Sequence, residues 1–298
     1  MGKTSQKKPE INEMIFKLYS KGMTLRGIAE VLGVSRTTVN RKFLLIAQNC
    51  KDYHEYQLSL GYKSKRGKPI VIFDEMESHE QTKLKPLSIG VLFDFNNRKI
   101  LHFNVGEMRT RGRGLPAIWN SIYKMKGYKP RVDERSDLTL EAFLIADNYY
   151  QGQKKVVLLT DNKPLYGNIY KFLDPVKFQH VFALRGQKIK LTPNKKKIKI
   201  RSKIVKLKFK IYIGMNLIPK PPYAPTYLLS KTQKYEKLLN SAFDSFNKLC
   251  AVIRNDTSRL RRTTFINTQK PERLELNLFM FLAYYNDYKF RQIMSFNG

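Results

Sequence analysis

The chain has 298 residues, 42% hydrophobic and 12% aromatic, and its 56 Lys and Arg against 24 Asp and Glu give a net charge of +32. That apolar content can build a core, which excludes a disordered polybasic tail, and no run of about 18 apolar residues offers a membrane span. Two cysteines, Cys50 and Cys250, are too few for a disulfide scaffold or a cysteine-rich zinc site.

So large a positive excess opposes compaction unless a polyanion is usually bound. Double-stranded DNA is the expected partner, because neutralising its phosphates releases condensed counterions. An anionic membrane fits less well, since no segment sets a basic face against a free apolar one. The opening MGKTSQKKPE lacks the apolar stretch of a secretory signal. A cytoplasmic, nucleoid-associated location is expected.

Residues 9–48 read as helices. Ile11, Met14, Ile15 and Leu18 recur at helical spacing, and Gly22 closes the first helix. Thr24 caps a second, with Leu25, Ile28, Ala29 and Leu32 on its apolar face; Gly33 supplies a tight turn. Ser35 caps a third, whose inner face is Val39, Phe43 and Ile46. The small Ala29, the glycine and the capping serine fall at offsets that resemble the helix-turn-helix of many DNA-binding proteins. In that geometry the start of the last helix enters the major groove, which makes Arg36, Thr37, Thr38, Asn40 and Arg41 the reading residues. A plain three-helix bundle with a charged face is the competing reading. The predicted organisation is a helix-turn-helix domain over 1–50, a polar linker over 51–68 and a second domain over 69–298.

Beyond the linker the pattern turns to strands. PIVIFDE, KPLSIGVLFDF and KILHFNV read as three, the last two joined by a turn at Asn96-Asn97. GLPAIWNSIYKMKG reads as a helix with Leu115, Ile118, Trp119 and Ile122 on one side, and a further helix is expected near Leu140–Asp147. KKVVLLTDN is a buried strand, PLYGNIYKFL a helix and FQHVFALRG another strand. Residues 185–230 form a basic insertion whose IKIRSKIVKLKFKIYI alternates as a half-exposed hairpin would. A long helix follows over about Thr232–Asn255, with Leu239, Phe243, Phe246, Cys250 and Ile253 facing inward, and a last one begins near Pro271.

Three strands, a helix, a strand, a helix, a strand and a late helix is the order of the ribonuclease-H-like α/β fold, a mixed sheet whose first and fourth strands are neighbours. Asp74 closes the first strand and Asp161 the fourth, so their carboxylates should converge at one edge. Such a pair repels itself unless one acid is protonated or a divalent cation holds both. All-oxygen ligation favours Mg²⁺ or Mn²⁺, and two ions there could drive an in-line phosphoryl displacement. A third ligand is expected from the late helix, where Asp244 and Asn247 lie at i and i+3. Each aspartate alone would be an ordinary turn residue; together, in this order and in so basic a chain, they point to a metal. Glu75 should face away from Asp74 by strand alternation, and His102 and His180 read as structural histidines. Arg111 and Arg113 in RTRGRG, with Arg259 and Arg262, are expected to clamp DNA phosphates.

VIFDEMESHE running into KPLSIGVLFDFNNRKIL, then VVLLTDN, then FNKLCAVIRNDTSRLRRTTFINTQKPERLELNLFMFLAYYN together resemble an insertion-sequence transposase of the DDE class. The resemblance covers the chain except residues 185–230. It implies that Asp74 and Asp161 are the first two catalytic carboxylates. At the third position the sequence departs: aligned on Arg254, Arg259, Leu260 and Arg262, the glutamate of the family falls on Asn247, and the nearest acid is Asp244, one turn earlier. Either a workable D-D-N set or a decayed copy follows. The resemblance also implies Mg²⁺-dependent cleavage and joining of DNA strands by a homodimer or larger assembly. The alternatives are a helix-turn-helix regulator without catalysis and a nuclease of the same fold that does not join strands.

Overall fold

The computed structural model describes residues 8–63, 67–80, 82–111, 114–127, 131–183, 231–257, 260 and 270–296. The basic stretch 185–230 lies outside them, as do Arg113, Arg259 and Arg262.

After a short 3-10 turn the chain forms α1 (Asn12–Ser20), α2 (Leu25–Leu32) and α3 (Arg36–Ser59). Thr24 is extended and its hydroxyl accepts the Gly27 N–H at 3.2 Å, so α2 starts on a side-chain cap. Gly33 ends it in the left-handed region, at φ 61°, where a side chain would be strained. Ser35 then caps α3 by accepting the Thr38 N–H at 3.1 Å. Ile15, Ile28, Val39, Phe43 and Ile46 are fully buried between the three helices.

The reading of 51–68 as linker is corrected in its first half: α3 runs on without a break to Ser59. The cause is a stripe continuing from Ile46 and Ala47 through Cys50, Tyr53 and His54, at spacings of three and four, all of it buried. Of the polar residues between them, Gln48 is exposed, while Lys51 pairs with Glu275 and Asn49 reaches Met294.

The sheet contains β1 (Ile70–His79), β2 (Pro86–Asp94), β3 (Lys99–Glu107), β4 (Val156–Asp161) and β5 (Phe178–Ala183), in the order β3-β2-β1-β4-β5. β1 pairs antiparallel with β2 and parallel with β4; β4 pairs parallel with β5. Around it lie α4 (Leu115–Lys126), α5 (Arg135–Tyr149), α6 (Pro164–Tyr170), α7 (Lys231–Asp256), α8 (Pro271–Tyr285) and α9 (Phe290–Ser295). The last was not expected. At the β2–β3 turn the buried Asp94 carboxylate accepts the N–H groups of Asn96 and Asn97 at 2.9 and 3.2 Å, as the Asn-Asn turn requires.

Both faces of the central strands are buried, which parallel neighbours demand. Ile70, Ile72 and Met76 of β1 join Val157 and Leu159 of β4 under α7 and α8. Val71 and Phe73 join Val156 and Leu158 against α5 and α6. On α4 only Trp119 of the expected apolar side is buried, while Ile118 is half exposed.

A third core joins the N-terminal helices to the end of the chain: Met280 and Ala283 of α8 and Ile293 of α9 pack with Ile15, Val39 and Phe43. Tyr19 donates to Asn277 at 2.6 Å across the same contact. Among the described residues no helix is long and apolar enough to cross a membrane.

Candidate functional site

The register of the central strands decides where the two sequence-selected aspartates stand. The last paired residues of β1 and β4 are Phe73 and Thr160. One step further along each strand come Asp74 and Asp161, level with each other on strands about 4.8 Å apart. Alternation sets both on one face. Asp74 follows the parity of Ile70 and Ile72, and Asp161 that of Val157 and Leu159, so each belongs to the side covered by α7.

Asp74 already has company. The Lys163 ammonium lies 3.0 Å from its Oδ1, the Tyr166 hydroxyl donates to the same oxygen at 3.3 Å, and so does the Glu75 N–H at 2.8 Å. Lys163 also reaches Glu75 Oε2 at 3.2 Å and donates to the Tyr166 hydroxyl at 2.8 Å. The expectation that Glu75 stands apart from Asp74 holds for the strand face but not for the partner. β4 ends at Asp161 while β1 continues to His79, so a side chain turning past the end of β4 can touch both acids. Glu75 is the more enclosed, its side chain only 5% exposed against 22% for Asp74. Its Oε1 is buried with no hydrogen-bond partner. Burial alone would lower the Lys163 pKa, yet the charges of Asp74 and Glu75 overcome it and raise it, so the ammonium keeps its proton. Burial, followed by the same two carboxylates, pushes the Tyr166 hydroxyl far up, and it remains a donor.

Helix α7 brings a different residue to Asp74 than the sequence suggested. Its start is fixed by Tyr235, whose ring centroid lies 5.8 Å from the ammonium of Lys68, just before β1. Further along, Cys250 comes close enough to Asp74 for the carboxylate charge to act on its thiol. Burial, with a contribution from the Asp74 charge, raises its thiol to about 12. Asn247 and Asp244 lie about one and two turns before Cys250 on the same helix, and both are exposed. Among the described residues no three His, Cys, Asp or Glu side chains gather to hold a metal ion.

Other predicted residues fall as follows. Arg36, Thr37 and Arg41 are exposed on the first turns of α3. Thr38 is half-buried, 2.9 Å from the Ser35 hydroxyl, and Asn40 accepts from Arg273 of α8. Asn40 is thus a joint between α3 and α8 as well as a member of the expected reading set. Arg111 pairs with Glu77 at 3.2 Å on an exposed surface, near the extended end of β1. His180 meets the Thr160 hydroxyl at 2.8 Å and His102 meets Glu141 at 3.5 Å, each within the fold. Lys163, Tyr166 and Cys250 were missed. The one available signal for Lys163 was its place two residues after Asp161, at the mouth of the same strand.

Residues 3–44 match the family described as the helix-turn-helix domain of resolvase. The match takes in the first nine residues of α3, so it covers the capped turn and the Arg36–Arg41 segment. The N-terminal helices are similar to that helix-turn-helix, and the likeness supports DNA binding. No curated protein matches the chain.

Proposed function

We propose that the chain is a DNA transposase of the DDE class. Its helix-turn-helix binds the ends of a mobile element, and its sheet carries a ribonuclease-H-like centre for strand cleavage and transfer. The observation that carries this reading is the level placement of Asp74 and Asp161 on one face of adjacent parallel strands. The β3-β2-β1-β4-β5 order supports the same fold, and the +32 charge supports a nucleic-acid substrate.

The donor set fits a hard divalent cation. Two carboxylates on neighbouring strands supply oxygen only, and Mg²⁺ usually takes one or two carboxylates, completing its shell with waters and substrate phosphates. A third acid is therefore not obligatory, and water or substrate oxygens can complete the shell; Asn247 stays the candidate for a further carbonyl oxygen from α7. When bound, Mg²⁺ or Mn²⁺ supplies a Lewis acid for in-line phosphoryl displacement. Asp74 and Asp161 hold the reacting phosphate's counter-charge, and the exposed Arg36, Thr37 and Arg41 hold the duplex. Arg111, loosely paired with Glu77, can exchange that exposed partner for a phosphate. Two ends must be joined, so the working form is a dimer or larger.

The test is a pair of variants, Asp74→Asn and Asp161→Asn, assayed for Mg²⁺-dependent nicking and joining of end-containing duplexes and for binding by gel shift. Each should lower the chemical rate by at least a thousandfold and leave binding within a few-fold. The Lys163–Asp74 ion pair favours a second reading, a DNA-binding regulator whose acid is merely structural. That reading predicts duplex binding without metal and no nicked product from the unmodified protein.

A further inference from the structure

The cation that now touches Asp74 belongs to the protein itself, and its contacts are unequal. Lys163 has three partners: Asp74 at 3.0 Å, Glu75 at 3.2 Å and the Tyr166 hydroxyl at 2.8 Å. Glu75 can least afford to lose it. Its carboxylate is almost wholly enclosed and one oxygen already lacks a hydrogen-bond partner, so stripping the ammonium would leave a buried charge with only the Tyr166 hydroxyl and the charge of Arg135 beside it. Asp74 is more open and keeps two donors of its own, the Glu75 N–H and the Tyr166 hydroxyl. Its contact with Lys163 is the replaceable one.

We infer that Lys163 is a resident counter-cation competing with the divalent ion for Asp74, and that Glu75, with Tyr166, is the post that retains it once displaced. The inference rests on the proposed metal reading of Asp74 and Asp161. In the metal-free protein Lys163 neutralises Asp74 and relieves the repulsion between the neighbouring acids. When a divalent cation arrives at the α7 side, the ammonium withdraws from Asp74 toward Glu75, which points to the other face and cannot follow. Lys163 is then a positioning residue. It sets the metal affinity of the free protein, so that loading is favoured where DNA phosphates add to the ligand set.

The roles are separable by a double-mutant cycle read as Mn²⁺ affinity, by calorimetry and by water-proton relaxation on the full-length protein. An Asp161→Asn control identifies the site. Lys163→Met should tighten Mn²⁺ binding on the order of tenfold, as expected for removing one positive charge a few ångströms from the ion; Lys163→Gln, which keeps a polar group, should do the same. Glu75→Gln should weaken binding several-fold in the unmodified background, because Lys163 then rests on Asp74 alone. In the Lys163→Met background Glu75→Gln should cost clearly less, because only the direct loss of one negative charge remains. Equal Mn²⁺ affinity with and without Lys163 overturns the competition while leaving the metal site standing. A Glu75→Gln loss of the same size in both backgrounds overturns the retaining role. If no Asp161-dependent Mn²⁺ binding occurs in any variant, the metal reading fails and takes the inference with it.

Discussion

His54 shows how much one side chain can bind together. Its Nε2 faces the Leu101 carbonyl oxygen of β3 at 2.7 Å, and a carbonyl only accepts, so Nε2 carries the proton. Nδ1 then accepts from the Tyr288 hydroxyl at 2.8 Å. Burial holds the imidazole pKa down at about 4, from an ordinary 6.5. The neutral ring is the folded form, so this stability is complete above pH 6.5 and is lost as pH falls toward 4. The loss amounts to about 3 kcal/mol. Urea melts should show the unmodified protein losing that much more than His54→Gln between about pH 7 and pH 4. Parallel curves for the two proteins would refute the linkage. None of this was legible beforehand, because a histidine in a polar stretch carries no mark of the strand it will meet.

At the scale of elements, the sequence was most readable where a local rule acts alone. Thr24, Gly33 and Ser35 carry their capping and turn chemistry in their own side chains or in the want of one, and each does what its type dictates. The β1 and β4 strands were readable from short apolar runs, and the neighbourhood of Asp74 and Asp161 followed from element order. The length of α3 was not, because its second half is polar by count and helical by spacing. Nor was the approach of Cys250 on α7 to Asp74, which depends on how a helix packs on a strand far away in sequence. Close approach within the sheet was equally hidden. Gly90 lies opposite Asn104 in the β2–β3 register, and a methyl there would collide with the Asn104 side chain and press on the Phe73 ring. Asn104 cannot easily turn aside, since its Nδ2 donates to the Leu138 carbonyl at 2.7 Å and to Glu141 at 2.8 Å. Gly90→Ala should cost about 1–3 kcal/mol in chemical denaturation. A change within 0.5 kcal/mol would mean that the pair relaxes freely.

Across the whole molecule, the boundary expected at residue 50 falls inside a helix and inside a shared core. Met280, Ala283 and Ile293 close the apolar face of the N-terminal helices. Lys51 adds an ion pair to Glu275 at 2.9 Å. A fragment of residues 1–60 would leave that face open to water. It should melt with little cooperativity in circular dichroism, well below the full chain, and a sharp transition at the full-chain temperature would show that the helix-turn-helix is self-sufficient.

The unbroken α3 has a further consequence. A helix of 24 residues is a strut about 36 Å long, comparable to one turn of B-form duplex at about 34–36 Å. Its outer tip carries the exposed Arg36 and Arg41, the arginines proposed to meet the groove, and near its other end His54 rivets it to β3. In the proposed transposase the interval between the recognised bases and the severed bond is then a dimension of the protein, held by a lever that does not bend.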